Sequence, residues 1–304
     1  MSSTPSPSPV EADAPRGQIA RLLVYPIKSC AGVDLRQALL TPTGLDYDRA
    51  WMLVDETGEF VTQRELPRMA LIQPKFRSSD LALRAPGMLA LHLALDRAEQ
   101  PCRVRVWEDE VAAYDMGDLA AQWFSDFLLT NNSAGAPRRL RLVRFDPEQK
   151  RLSSAKWTGG LEAPNQFSDG YALLVTSLAS HQFLNERLRA VGAAPVALER
   201  FRPNIVLDGL PAHDEDRLGD LHIATAQGSA LLRPVKPCSR CSIPDIDPVT
   251  ASSSPEVGDI LQGYRQNPAQ GGAVTFGMNA IVLQGVDQTL EIGQQVDASY
   301  RFDG

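Results

Sequence analysis

With 304 residues, 43% of them hydrophobic, the chain is long enough for two domains, or one large composite domain, with a real core. Its net charge of −7 and pI near 5.2 disfavour a protein that grips nucleic acid through its phosphates. No apolar run reaches the roughly 18 residues of a membrane span. Four cysteines without an export signal point to a reducing cytoplasm, not a disulfide scaffold.

Residues 1–17, rich in Ser, Pro and Ala, read as a disordered tail. Ile19–Tyr25 is a short apolar strand closed by Pro26. Trp51–Val54 and Glu59–Thr62 flank Asp55-Glu56-Thr57-Gly58, the pattern of a hairpin. Met88–Leu95 and Arg103–Val106 are further strands. Leu119–Leu129 reads as a helix with Leu119, Trp123 and Phe127 inward and Asp118 as its cap. The polar stretch 130–137 marks a domain junction, giving units over 18–135 and 138–301. Leu140–Phe145 resumes a strand. A second helix is expected over Leu178–Val191, capped by Ser177 and stopped by Gly192, with Ala179, Phe183, Leu184, Leu188 and Val191 inward. Ile205–Leu207, Leu221–Ala224, Ala230–Pro234, Ala280–Leu283 and Gln295–Tyr300 complete the strands. Regular β/α alternation is absent, so the expected class is α+β, dominated by strands.

Chemistry gathers first in Arg233–Asp247, where Cys238 and Cys241 lie three apart with Arg240 between them and Lys236 just before. Cationic neighbours favour the thiolate, the form that binds metals, and the nearby prolines stiffen the segment as a loop. Alone, C-x-x-C is compatible with half a zinc site, a redox dithiol, part of an iron–sulfur site, or two ordinary buried cysteines. Zinc would need Cys30 and Cys102 as further ligands; Pro244 and the strand-like run before the pair argue against a thioredoxin-like dithiol. Lys28-Ser29 follows a strand end, where an ammonium and a hydroxyl can hold a phosphate oxygen. Arg64 closes the second hairpin strand and suits bidentate phosphate binding. Arg202 and Asn204, two apart as a strand begins, can point to one side. Gln166-Phe-Ser168-Asp169-Gly170 is a polar turn ahead of the second helix, whose N-terminus welcomes anions. Taken singly, the Lys28 segment is better explained as a solvated turn and Arg64 as a surface residue. No Walker loop, G-x-G-x-x-G, G-x-S-x-G or H-E-x-x-H occurs. His92, His181, His213 and His222 show no paired metal spacing. His181 reads as structural or exposed, and the run His213–Asp216 as a solvated loop.

Taken together, YPIKSCAG (25–32), GLDYDRAWMLVD (44–55), VTQRELPR (61–68), FSDG (167–170), FRPNIVLDG (201–209), RPVKPCSRCSIPDIDP (233–248) and TFGMNAIV (275–282) resemble the MOSC superfamily. The resemblance is to the branch holding the mitochondrial amidoxime-reducing component and the YcbX-type proteins, and it runs in family order over nearly the whole chain after the tail. It implies an N-terminal MOSC-associated β-barrel-like domain followed by a MOSC β-barrel domain, with a molybdenum cofactor (molybdopterin) between them. It maps the protein ligand to the metal onto Cys241, and places Lys28, Ser29, Arg64, Asp169, Arg202, Asn204, Ser239 and Arg240 around the pterin and its phosphate. Cys238 matches a motif cysteine that is not the ligand. A soft thiolate suits a metal already bound by dithiolene sulfur.

The sequence departs from the pattern at Gly170, where the mitochondrial relatives carry a hydroxyl that Ser168 would replace, and at Ala251, where the family has glycine. The chain to Gly304 is expected to lack the C-terminal ferredoxin domain of YcbX-type proteins, so the resemblance implies a separate electron-donor protein of ferredoxin, flavoprotein or cytochrome type. The implied activity is oxygen-atom abstraction from small N-hydroxylated compounds (hydroxylamines, amidoximes, N-hydroxy purines), in the cytoplasm and without nucleic-acid or membrane partners. Two rivals stand beside it: a cofactor carrier or persulfide-based sulfur-transfer module, and a structural zinc protein.

Overall fold

Leu22–Val24 is apolar without alternation because that end of its strand is covered on both sides. Leu22 and Val24 enter one core, while Leu23 and Tyr25 enter another. The strand belongs to a computed structural model that describes residues 14–97, 100–129 and 139–301. The expected junction at 130–137 lies outside the described residues. In chain order the first part holds β1 (Arg16–Val24), β2 (Val33–Leu35), β3 (Gln37–Thr41), β4 (Gly44–Leu45), β5 (Trp51–Val54), β6 (Gln73–Phe76), β7 (Asp80–Arg84), β8 (Leu91–Ala94), β9 (Gln100–Val106), β10 (Asp109–Asp115) and α1 (Asp118–Leu128), and β11 (Arg141–Phe145) opens the second. The second holds α2 (Ala155–Thr158), β12 (Leu173–Ser177), α3 (Leu178–Ala190), β13 (Ile205–Asp208), β14 (Leu218–Thr225), β15 (Gly228–Ser239), α4 (Glu256–Gln262), β16 (Gln266–Asn267), β17 (Ala273–Gln284), β18 (Thr289–Glu291) and β19 (Gln295–Tyr300).

Seven strands close into a barrel in the order β12-β13-β1-β19-β14-β15-β17, with β17 returning to β12. Closure pairs both edges of every barrel strand. All neighbours are antiparallel except β12 and β13, which run parallel and are joined through α3. Leu22, Leu173, Ile205, Leu221, Leu232, Ala280 and Val296 fill one core of the barrel, while α3 and α4 cover Leu23, Phe201, Val206 and Phe276 on its outer side. The N-terminal part has a four-stranded sheet in the order β5-β11-β10-β9 and a three-stranded sheet β6-β7-β8. Trp51, Leu53, Leu81 and Leu83 pack there with Trp123, Phe124 and Phe127 of α1. The two parts exchange strands. β1 lies inside the barrel, and β11 pairs with β5 and β10 of the N-terminal sheet. The strand-dominated class expected from sequence is the one observed.

Several local expectations change. β1 starts at Arg16 because Arg16 and Gly17 pair with Asp297 and Val296, so the segment read as tail ends earlier. Residues 59–62 form only bridges: Val61 donates to Leu53 O at 3.0 Å, and Asp55 Oδ1 accepts the backbone N–H of Thr57 and of Glu59 at 2.8 and 3.0 Å. Asp118 does not cap α1. Gly117 precedes the helix, and Asp118 pairs with Arg139 and Arg141 while Leu119 stays 76% exposed. Ser177 does cap α3, accepting from Ser180 N at 3.1 Å, with Leu184 and Leu188 inward and Val191 exposed. At the N-terminal turn of α3 the protein supplies its own carboxylate: Glu215 Oε2 accepts both the Ser177 and Ser180 hydroxyls at 2.9 and 2.7 Å. His213–Asp216 is therefore not a solvated loop. Asp214 and Glu215 are buried, and the His213 ring packs against Phe183, Tyr264 and Phe276, where burial lowers it to about 4. Among the described residues no helix is long and apolar enough to cross a membrane.

Candidate functional site

The stretch read as a stiff loop is mostly strand. β15 carries Pro234 and Pro237 at register shifts against β17, where a missing N–H costs no ladder bond, and it delivers Cys238 and Ser239 at its end. Pro244 follows in a 3-10 turn over Ile243–Asp245. Cys241 lies between the two, exposed. It faces a cavity of about 400 Å³ between the barrel and the N-terminal sheets. Lys28, Ser29, Arg64, Ser168, Asp169, Arg202, Asn204, Ser239, Arg240 and Cys241, each singled out from sequence, all line this one cavity.

Lys28 is buried and donates to Phe167 O at 2.9 Å and to the Asp169 carboxylate. Burial pulls its ammonium below the ordinary lysine value, against the opposing pull of Asp169. Burial would raise the Asp169 carboxyl, but the Lys28 charge and hydrogen bonds from Lys28 and Trp107 hold it well below the usual carboxylate range. Arg64 is braced rather than loose. Its Nε and its backbone N–H donate to Thr62 Oγ1 at 3.1 and 3.2 Å, and its guanidinium sits 5.0 Å from the Trp107 ring centre. Arg202 lies 4.2 Å above the Tyr25 ring and donates through Nη1 to Cys30 O at 2.6 Å. Burial and the neighbouring Arg49 lower it to about 10, which leaves it charged at neutral pH. Arg240 donates to Cys238 Sγ at 3.1 Å and to Phe201 O at 3.0 Å. Ser239 donates to Gln270 Oε1, and Ser168 to Asn165 Oδ1.

Two expectations reach the same place by a different route. Arg202 and Asn204 share the cavity not through strand alternation but because Arg202 adopts positive φ (58°) before β13 begins. The Asn204 amide is already engaged with Leu23 O, Leu174 N and Arg49 Nη1 at 3.2, 3.0 and 3.0 Å, so it ties β1 to β12 and orients Arg49. A Cβ on Gly170 would meet nothing within 4 Å, so the missing hydroxyl there leaves open room. Ala251 adopts φ 59°, the conformation that a glycine would supply, and its N–H reaches Asp247 O at 2.8 Å. The zinc alternative lacks its ligands. Cys30 is buried in the N-terminal core with its thiol pushed up to about 12 by burial, Cys102 belongs to β9, and among the described residues no three His, Cys, Asp or Glu side chains converge.

Arg49, Thr62, Trp107, Tyr171 and Asn279 also line the cavity and were not singled out from sequence. Arg49 stood inside a quoted motif, yet its inward turn depends on φ 51° and on the buried carboxylate of Asp48. Trp107 opens the two-residue turn between β9 and β10 at φ 56°, where glycine is the ordinary occupant. Of the eight non-glycine residues with positive φ among the described residues, Ser29, Arg49, Trp107 and Arg202 line this cavity. Each costs about 1–2 kcal/mol of backbone strain, so strain is concentrated where side chains must turn inward.

The lining residues suit a phosphate-bearing, thiolate-ligated cofactor. Asp169 occupies Lys28 and Asp48 occupies Arg49, but Arg64, Arg202 and Arg240 have no carboxylate partner among the described residues. Arg202 Nη2 and Arg240 Nε are buried donors without an acceptor. Such groups are costly unless an anion meets them.

Residues 16–131 match the MOSC N-terminal beta barrel domain and residues 162–297 the MOSC domain. The chain belongs to the MOSC family. It is 35% identical over 258 residues to mitochondrial amidoxime-reducing component 1 of Mus musculus, covering 82% of this chain and 72% of the relative. It is 34% identical over 261 residues to mitochondrial amidoxime reducing component 2 of Homo sapiens, with the same coverages. It is also 32% identical over 249 residues to the molybdenum cofactor sulfurase of Drosophila grimshawi, covering 79% of this chain but 30% of that protein. Family and relatives point to a function tied to the molybdenum cofactor.

Proposed function

We propose that this protein is a molybdenum-cofactor-dependent reductase of N-hydroxylated compounds, with Cys241 as the protein ligand to the metal. The observation that carries the reading is the exposed Cys241 thiol in a cavity whose Arg64, Arg202 and Arg240 lack carboxylate partners. Two relatives are named for amidoxime reduction. When bound, the cofactor supplies two-electron oxygen-atom abstraction from an N–OH group. The chain's own part is positioning. Arg64, Arg202 and Arg240 hold the anionic tail through charge-assisted hydrogen bonds. Lys28, Ser29, Ser168, Asp169 and Ser239 offer donors and acceptors along the pterin edge, and Asn204 fixes the wall that presents them. Electrons come from a separate donor protein of ferredoxin, flavoprotein or cytochrome type. The cytoplasm belongs to this proposal on cysteine usage alone.

Elemental and pterin analysis of the purified protein, with benzamidoxime reduction driven by reduced methyl viologen, tests the proposal. Bound molybdenum and amidoxime-dependent viologen oxidation are expected. The sulfurase relative favours a second reading, a carrier or sulfur-transfer module. A stable persulfide on Cys241 without molybdenum, seen by mass spectrometry, would select it.

A further inference from the structure

Trp107 is a large apolar side chain that stays 41% exposed, on a left-handed backbone (φ 56°) that strains any residue but glycine. It shares the two-residue turn between β9 and β10 with Glu108, where Val106 pairs with Asp109. Burial in a core accounts for neither the residue nor its strain, and strain kept at a cavity wall points to a task there. Its contacts show what the ring is held for. The indole Nε1 donates to Asp169 Oδ1 at 3.2 Å, which ties the ring to the loop leading into β12. Phe60 packs against it from the N-terminal part, with ring centres 4.9 Å apart. The ring fixed from both sides lies against the Arg64 guanidinium, 5.0 Å from the ring centre.

These contacts decide which part of Arg64 stays free. Thr62 Oγ1 accepts the Arg64 Nε at 3.1 Å. Thr62 is itself anchored, because Glu65 Oε2 accepts its hydroxyl and its backbone N–H at 2.5 and 2.9 Å. Among the described residues no acceptor meets the Arg64 Nη1 or Nη2 groups, and Arg64 lines the cavity. A guanidinium with its Nε taken and an aromatic ring against it presents the two Nη groups side by side, an edge that grips a phosphate with two hydrogen bonds. Holding a long side chain in that pose beforehand removes an ordering cost from binding.

We propose that Trp107 is a positioning residue, ordering Arg64 in advance so that its free edge meets the anionic group of the ligand. The proposal rests on the reading of this cavity as an anion site, and two measurements on the whole chain, freed of any bound cofactor, keep the two failures apart. The first needs no ligand. Heteronuclear NMR follows solvent exchange of the Arg64 Nε–H, assigned by its loss in Arg64→Lys. Trp107→Gly, which relieves the strained turn and so spares the fold, should speed that exchange about threefold or more, the scale of one lost cation–π contact. Trp107→Phe keeps a ring and should change it less than Trp107→Gly does. The second measurement titrates inorganic phosphate by calorimetry. Wild type should bind it, and Arg64→Ala should weaken binding. Trp107→Gly should weaken it about threefold to fivefold, Trp107→Phe should weaken it less, and Trp107→Gly should add nothing in the Arg64→Ala protein, because the residue acts through Arg64. Equal weakening by Trp107→Gly in both backgrounds is what a merely structural residue would give, and it would overturn the proposal. So would Arg64 exchange that is unchanged in Trp107→Gly. A wild-type protein that binds no phosphate would instead overturn the anion-site reading and leave the exchange measurement to decide whether Trp107 orders Arg64.

Discussion

Lys28 and Asp169 meet at the cavity wall under opposite pressures. Lys28 is buried, which disfavours its charge, while the Asp169 side chain opens onto the cavity, and the pair keeps the Asp169 carboxyl depressed. A carboxyl whose folded value lies below its unfolded value of about 3.9 stabilises the fold fully above that pH. The contribution fades as pH falls from there toward the folded value. In the metal-free protein, Asp169→Asn should therefore lower the melting temperature by about 1–2 °C between pH 5 and 8, the screened worth of a carboxylate open to the cavity, and the gap from wild type should close as pH drops below about 4. A pH-independent gap measured by calorimetry would show that the pair is not the cause. At this scale the sequence was half legible. Lys28, Arg64, Arg202 and Arg240 could be singled out as phosphate-binding types, and Cys241 as a metal-binding type. Arg49 and Trp107 could not, because their inward turn is set by positive φ (51° and 56°), which side-chain identity does not announce.

Elements show where the rules of strand and helix were overridden. Helix α3 was legible through Ser177 and the apolar spacing of Leu184 and Leu188. Strand β12 was not, because Leu173–Ser177 runs into α3 without any turn residue between them. The prolines of β15 read as loop and proved to be strand, since bulges against β17 absorb them. Burial of Asp214 and Glu215 was hidden for a similar reason: their partners, Tyr300, Ser177 and Ser180, lie far away in sequence. β17 depends on Gly277, which takes φ 75° where the strand pairs with both β12 and β15. A Cβ there would come within 2.8 Å of Val175 O and 2.6 Å of Thr176 Cγ2. Gly277→Ala should cost about 2 kcal/mol or more, from the left-handed backbone alone plus the displaced wall. Urea unfolding measures it, and a loss under about 0.5 kcal/mol, the range of an ordinary surface change, would show that β17 can straighten.

For the whole molecule, the exchange of β1 and β11 makes the two parts interdependent. Without β1, residues 139–301 leave β13 and β19 with open edges and the barrel cannot close. Expressed alone, that fragment should show no cooperative thermal transition by circular dichroism, and a peptide spanning 14–25 should restore one; a cooperative transition without the peptide would contradict the exchange. Sequence order along the chain suggested a simpler succession of units, because pairing between Arg16 and Asp297 spans nearly all of it. The net charge of −7 likewise concealed a local cluster of cations that only the fold assembles from both parts. The proposed function gives the cofactor metal to Cys241 and not to Cys238. Molybdenum content and amidoxime reduction should be measured together in Cys241→Ala and Cys238→Ala proteins. Loss of activity with depleted molybdenum is expected in the first and retention of bound metal in the second; a Cys241→Ala protein that keeps both molybdenum and turnover would overturn the assignment.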